Sequence, residues 1–145
     1  IFFVLLSCGF TPMYSANKKV NFYIENLSFD DGDIELSNLI RSNLNNYLTA
    51  NNGRKFTIKT SIDYTKNSIS KNSAGNTEEY ELTSITNFII LYDNISKSLQ
   101  IKEASRMKNF DDEFSELEYE KNLKRNMARS ISSRLIMQLS VIYDN

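Results

Sequence analysis

A chain of 145 residues is about the size of one domain, and with 41% hydrophobic and 12% aromatic residues against 24% charged it can bury a core. The formal net charge of −1 offers no basic field of the kind duplex nucleic acid requires, so nucleic acid is not an expected partner. The absence of His, the single Cys and the 4 Gly exclude histidine acid–base catalysis, thiolate clusters, Cys/His nucleophile pairs and phosphate-cradling glycine loops. Only carboxylates remain as catalytic candidates, and the composition points away from an enzyme, a metal site or a bound cofactor.

Residues 1–7, IFFVLLS, are apolar without period and far too short for the ~20 residues of a bilayer span. They end on a small residue before Cys8, and the chain opens on Ile1. Together these features read as the last part of a secretory signal whose basic start lies upstream. LLSC resembles the lipobox of bacterial lipoproteins, with Leu5 as the aliphatic position, Ser7 before the cleavage point and Cys8 as lipid acceptor, although Leu6 is bulkier than usual. A buried free thiol and an intermolecular disulfide are the alternatives for a lone Cys. The resemblance implies more than one acyl chain on Cys8 and hence a stable anchor. Residues 8–19 are then a lipidated linker stiffened by Pro12, followed by a single domain over 20–145. Gly9 stands where an Asp would suggest retention in the inner membrane, which implies the outer membrane.

VNFYIENL (20–27) places Val20, Phe22 and Ile24 on one side and predicts a strand. DDGD then breaks the chain and offers Asp31 or Asp33 as an N-cap. Leu36, Leu39, Ile40, Leu44, Tyr47 and Leu48 follow at helical spacing, up to NNG at Gly53. KFTIKTSIDYT (55–65) alternates as a half-buried strand, KNSISKNSAGNTE (66–78) reads as a long hairpin loop, and EYELTSITNFIILYD (79–93) resumes the alternation. Asp93 and Asn94 make a turn into a further strand over 95–110. SELE then gives Ser115 and Glu118 capping-box spacing for a long helix. Its stripe of Tyr119, Leu123, Met127, Ile131, Leu135, Leu139 and Ile142, widened by Ala128 and Ile136, predicts packing rather than a cofactor box. Lys121, Lys124, Arg125, Arg129 and Arg134 lie mostly off that stripe. The expected fold is α+β: a mostly antiparallel sheet of about four strands with two helices on one face, in the order β-α-β-β-β-α.

CGFTPMY (8–14), followed by this element order, resembles the lipopolysaccharide-assembly lipoproteins of the LptE family, which sit inside the outer-membrane barrel LptD. GNTEEYELT (75–83) and the Ser105–Arg106 pair are further, looser likenesses. The resemblance implies a non-enzymatic plug and assembly partner of a barrel of the LptD type, tethered to the membrane through its N-terminal lipid and contacting lipopolysaccharide. The implied lipid contact falls on Lys71, with Lys66 close by and Arg106 as a further candidate; a solvated surface charge or a local ion pair is the other reading of each. A second basic position of the family, near the start of the last helix, falls here on acidic DDEFSELE. An auxiliary lipoprotein of another envelope lipid-transport system is the alternative. A carboxylate hydrolase built on DDGD, EEYE or DDEFSELEYE is a remoter one, since turn, strand edge and helix N-terminus also account for those clusters. SISK (68–71) matches the S-x-x-K motif of penicillin-binding enzymes, but it stands in a polar stretch without the accompanying motifs.

Overall fold

The computed structural model describes residues 21–145; the expected signal remnant 1–7, the expected lipid acceptor Cys8, the expected linker 8–19 and Val20 lie outside the described residues. Strand β1 (Phe22–Gly32) leads through helix α1 (Ile34–Asn43) and a short α2 (Asn45–Leu48) to three long strands, β2 (Arg54–Lys71), β3 (Thr77–Tyr92) and β4 (Ile95–Lys108). Helix α3 (Glu113–Asp144) follows; its 32 residues reach about 48 Å at 1.5 Å per residue. The sheet runs in the order β1-β2-β3-β4.

The expected α+β architecture holds, with a correction to the sheet: it is mixed, because β1 and β2 pair in parallel while β2–β3 and β3–β4 are antiparallel. The reason is the connection. Helices α1 and α2 carry the chain back along the sheet before β2 begins, whereas five residues after β2 and two after β3 allow only hairpins. The Asp93–Asn94 turn has φ of 46° and 62° at its two residues, the left-handed pair that suits strand twist.

Three local expectations are corrected. The segment 66–78 is mostly strand: β2 continues to Lys71 and β3 resumes at Thr77. Only 72–76 turn, where Asn72 Oδ1 accepts from the amides of Ala74 and Asn76 at 3.0 Å each. DDGD does not end β1 at its first residue, because the strand continues through irregular pairing to Gly32 opposite Ile62. Asp33 then caps α1, accepting from the Leu36 amide at 2.8 Å. Ser115 does not cap α3: Asp112 does, accepting from both the amide (3.1 Å) and the hydroxyl (2.8 Å) of Ser115, so the helix starts at Glu113.

One face of the sheet meets α1 and α3. Phe56 and Ile58 of β2, Leu82, Phe88 and Ile90 of β3, and Ile101 of β4 close a single core with Leu36 and Ile40 of α1 and Ile131 and Leu135 of α3. Arg54 ties one end of the body together. Its guanidinium donates to the Ile142 carbonyl of α3 at 3.1 Å, lies 3.5 Å from the Asp93 carboxylate and sits near the Tyr92 and Tyr143 rings. Its amide donates to Asn21 at 2.9 Å. Entry of the chain into the domain, the β3–β4 turn and the end of α3 therefore share one end. The β2–β3 turn and the start of α3 form the other.

Candidate functional site

The polar side chains concentrate in two places, one under the helices and one on the bare face of the sheet. Under the helices, Lys124 of α3 is 8% exposed although the helical stripe excluded it. Its ammonium meets Asp33 at 2.9 Å and Glu35 at 3.3 Å at the start of α1, and lies 4.4 Å from the centre of the Tyr64 ring. The Tyr64 hydroxyl donates to Glu120 at 2.6 Å. Glu120 and Glu116, one turn apart on α3, clamp the Lys66 ammonium at 3.1 and 3.0 Å, and that ammonium also faces the Tyr80 ring at 4.7 Å.

The charges in this network hold one another in their ionised forms. Burial works against the Lys124 and Lys66 ammoniums, but hydrogen bonds and charge from Asp33 and Glu35, and from Glu116 and Glu120, outweigh it and raise both above the ordinary lysine value. Burial likewise opposes Glu120 ionisation and is outweighed by hydrogen bonds from Tyr64 and Lys66, which hold that carboxyl below its ordinary value. The Tyr64 phenol is pushed well above its ordinary value by burial first and then by its bond to Glu120, so it remains a donor. Two ammoniums held among four carboxylates and one phenol form a latch between α1, β2 and α3.

The opposite face of β2, β3 and β4 carries no helix. Register places Lys59, Ile89 and Ser98 in one cross-strand row, Ser61, Asn87 and Gln100 in the next, and Asp63, Ile85 and Lys102 in the one after. Gln100 donates to Asn87 across the strands at 2.9 Å. Hydroxyls, amides and both signs of charge surround a thin line of Ile85, Ile89 and Leu91, so this face offers hydrogen-bonding groups along its whole length.

The three basic residues singled out from the sequence do not come together. Lys66 lies on the helix side of the sheet, inside the latch. Arg106 is exposed on the bare face, opposite Glu81 of β3, and Lys71 is exposed at the last pairing before the β2–β3 turn. The sequence reading missed Tyr64, Glu116, Glu120 and Lys124 as a unit. A signal existed in the i, i+4, i+8 spacing of Glu116, Glu120 and Lys124, which aligns three charges along one edge of the helix's inner face. The acidic clusters have structural roles: Asp33 and Asp112 cap helices, and Glu116 and Glu120 hold Lys66. Among the described residues no group of three or more His, Cys, Asp or Glu side chains is arranged to hold a metal ion, and no helix is long and apolar enough to cross a membrane.

This fold, a mixed four-stranded sheet with helices on one face, is similar to that of several bacterial lipoproteins. The crystal structure of the rare lipoprotein B from Shewanella oneidensis superposes with a TM-score of 0.63 at 17% identity, over 83% of this chain and 95% of that one. The solution structure of the uncharacterized lipoprotein B from Nitrosomonas europaea gives 0.58 at 12% identity, over 89% and 91%. The minor lipoprotein from Acinetobacter baumannii gives 0.55 at 15%, over 83% and 91%. At these identities the likeness is one of fold. No protein-family model matches the sequence, and neither does any curated protein.

Proposed function

We propose that this chain is a lipid-anchored outer-membrane protein that plugs and helps assemble a β-barrel translocon of the LptD type, contacts lipopolysaccharide on its way to the cell surface, and catalyses nothing. The observation that carries this reading is the bare sheet face. A protein standing inside the polar lumen of a large barrel needs an extended surface that is neither a second core nor a binding cleft, and the rows through Ser61, Asn87 and Gln100 have that character. The lipoprotein fold of its neighbours and the CGFTPMY start support the anchor at Cys8. The use of the carboxylates as caps and clamps supports a non-enzymatic role.

The same geometry redistributes the lipid contacts. Lys66, shared by two carboxylates, is poorly placed to meet a phosphate, whereas Lys71 at the turn and Arg106 on the bare face remain open for charge-assisted hydrogen bonds. Purification from the native envelope under mild detergent tests the whole reading. It expects a large barrel in the same complex, loss of surface lipopolysaccharide on depletion, and an intact mass in which Cys8 is the acylated N-terminus. Co-purification with an inner-membrane transporter instead would favour the auxiliary-lipoprotein alternative, and an unmodified Cys8 behind an intact 1–7 would refute the anchor.

A further inference from the structure

The two outer strands of the sheet are built differently. At one edge, β1 pairs with β2 through two breaks in register, carries Glu25, Asp30 and Asp31, and has its Leu27 carbonyl taken by the Arg41 guanidinium at 3.0 Å. Irregularity, charge and a capped carbonyl all defend an edge against further pairing. At the other edge, β4 pairs with β3 in unbroken register from Ile95 to Lys108 and contains no proline. In a two-residue hairpin the flanking residues, here Tyr92 and Ile95, exchange hydrogen bonds, so the even-numbered residues from Ser96 to Lys108 turn their N–H and C=O groups away from β3. All of these residues are exposed, and among the described residues no further strand or loop backbone hydrogen-bonds to that edge. A second feature stands over the same edge. Ser130 and Arg134 of α3 donate to Glu103 of β4, and Met137 and Val141, on the same flank of the helix, are 60% and 50% exposed.

We infer that the β4 edge is a self-association surface, on which a second copy of this chain sets its own β4 antiparallel across a two-fold axis at Gln100, joining the two four-stranded sheets into one. The sequence of β4 selects this register. In it Gln100 meets Gln100, Leu99 meets Ile101, Ser98 meets Lys102 and Lys97 meets Glu103 of the other copy. Moving the axis to Ile101 sets Leu99 against Glu103, and moving it to Lys102 opposes two lysines. Among the described residues Lys97 has no ion-pair partner. Glu103 takes both of its bonds, from Ser130 and Arg134, on Oε1, which leaves Oε2 for the incoming ammonium. About ten backbone hydrogen bonds close between Ser96 and Ala104 of the two copies. The axis stands perpendicular to the sheet, so both helix layers lie on the same side and the flanks of α3 that carry Met137 and Val141 face one another above the junction. Arg106 and Lys108 lie beyond the paired stretch. The inference does not depend on the barrel reading.

The test introduces Gln100→Cys and, separately, Ser96→Cys into the full-length protein in its native envelope, with the parent chain, whose only cysteine is Cys8, as the control for adducts through that thiol. Across the axis the two Gln100 Cα atoms are about 5.5 Å apart, within disulfide reach. The two Ser96 positions are offset by roughly 26 Å along the strands. Mild oxidation should therefore give a disulfide-linked dimer from Gln100→Cys and none from Ser96→Cys. Sedimentation of the purified protein in detergent then compares the parent with Lys97→Glu, which sets like charges opposite each other, and with Ser98→Pro, which removes a donor from the outer edge alone. Association about tenfold weaker in each variant, with the circular dichroism of the parent, is the expected result. A parent that stays monomeric and gives no Gln100→Cys dimer would overturn the inference. Equal cross-linking from both cysteines would do the same, since it reports chance collision, and so would a dimer that neither variant weakens, since its contact lies elsewhere. The barrel reading is decided apart from all of these, by co-purification.

Discussion

Replacing Lys124 with Met removes the ammonium of the α1–α3 latch while keeping most of the stem packed beside Tyr64. Removing one partner of a fully buried pair costs about 3–5 kcal/mol, because the other charge is left without compensation. Here the side chains of Asp33 and Glu35 are 19% and 40% exposed, so water recovers part of the loss. Asp33 also keeps the hydrogen bond from the Leu36 amide. An expected loss of about 2 kcal/mol follows, or roughly 6–12 °C in Tm for a domain of this size. Adding Asp33→Asn should return about 1 kcal/mol, since Asn remains an N-cap and no longer carries an unpaired charge. Urea unfolding at pH 7, followed by circular dichroism for the two single variants and the double, reads the coupling directly. A Lys124→Met protein within about 0.5 kcal/mol of the parent, or single losses that add without coupling, would refute the latch as a source of stability.

Stability should also respond to pH on both flanks. The contribution of Glu120, held below its ordinary value, is present above that value and lost as pH falls through the lowered one; those of Lys66 and Lys124, raised in the folded state, are present below 10.5 and lost as pH rises through the raised values. Urea midpoints should therefore be flat from about pH 6 to about pH 9 and fall on either side. Gly75→Ala should cost about 1–2 kcal/mol for its φ of +83° in open space, and Gly53→Ala, with φ of +93° and a Cβ driven into the Asn21 carbonyl, at least twice as much by thermal unfolding. Thr86→Val, which removes a fully buried hydroxyl without a hydrogen-bond partner, should raise stability by up to about 1 kcal/mol; a loss in the same unfolding experiment would mean that the hydroxyl is satisfied in solution.

Wherever one face of an element is buried, the sequence carried its period. The alternation through Phe56, Ile58 and Ile62, the repeat through Leu36 and Ile40, and the stripe from Met127 to Ile142 match residues of the core. Legibility stopped where burial stopped. Beyond Lys66 the β2–β3 ribbon outruns the helices, so Asn67 to Lys71 have no apolar face to alternate and read as loop although they pair with β3, with register shifts on either side of Ser70. The parallel pairing of β1 with β2 was hidden for another reason, since a strand's own pattern does not encode the direction of its neighbour. The α3 start shows competition between acceptors: Asp112, a carboxylate, accepts both donors of Ser115 and displaces it as the cap. For the latch, hydrophobicity was the wrong measure, because it counts Lys124 as surface and cannot register two carboxylates waiting 91 and 89 residues away.

The parallel pairing of β1 and β2 has a mechanical meaning for a domain held by its entry end. A pull at Asn21 runs along β1, while β2 is anchored beside it at Arg54 and continues to the far turn. If the far end is gripped, the bonds between the two strands are loaded in shear and resist together, whereas a hairpin pulled at its open end parts one bond at a time. Forced unfolding is governed by the barrier to rupture, not by equilibrium stability. The order of the first two strands thus favours a body that can be towed from that end without unravelling from it.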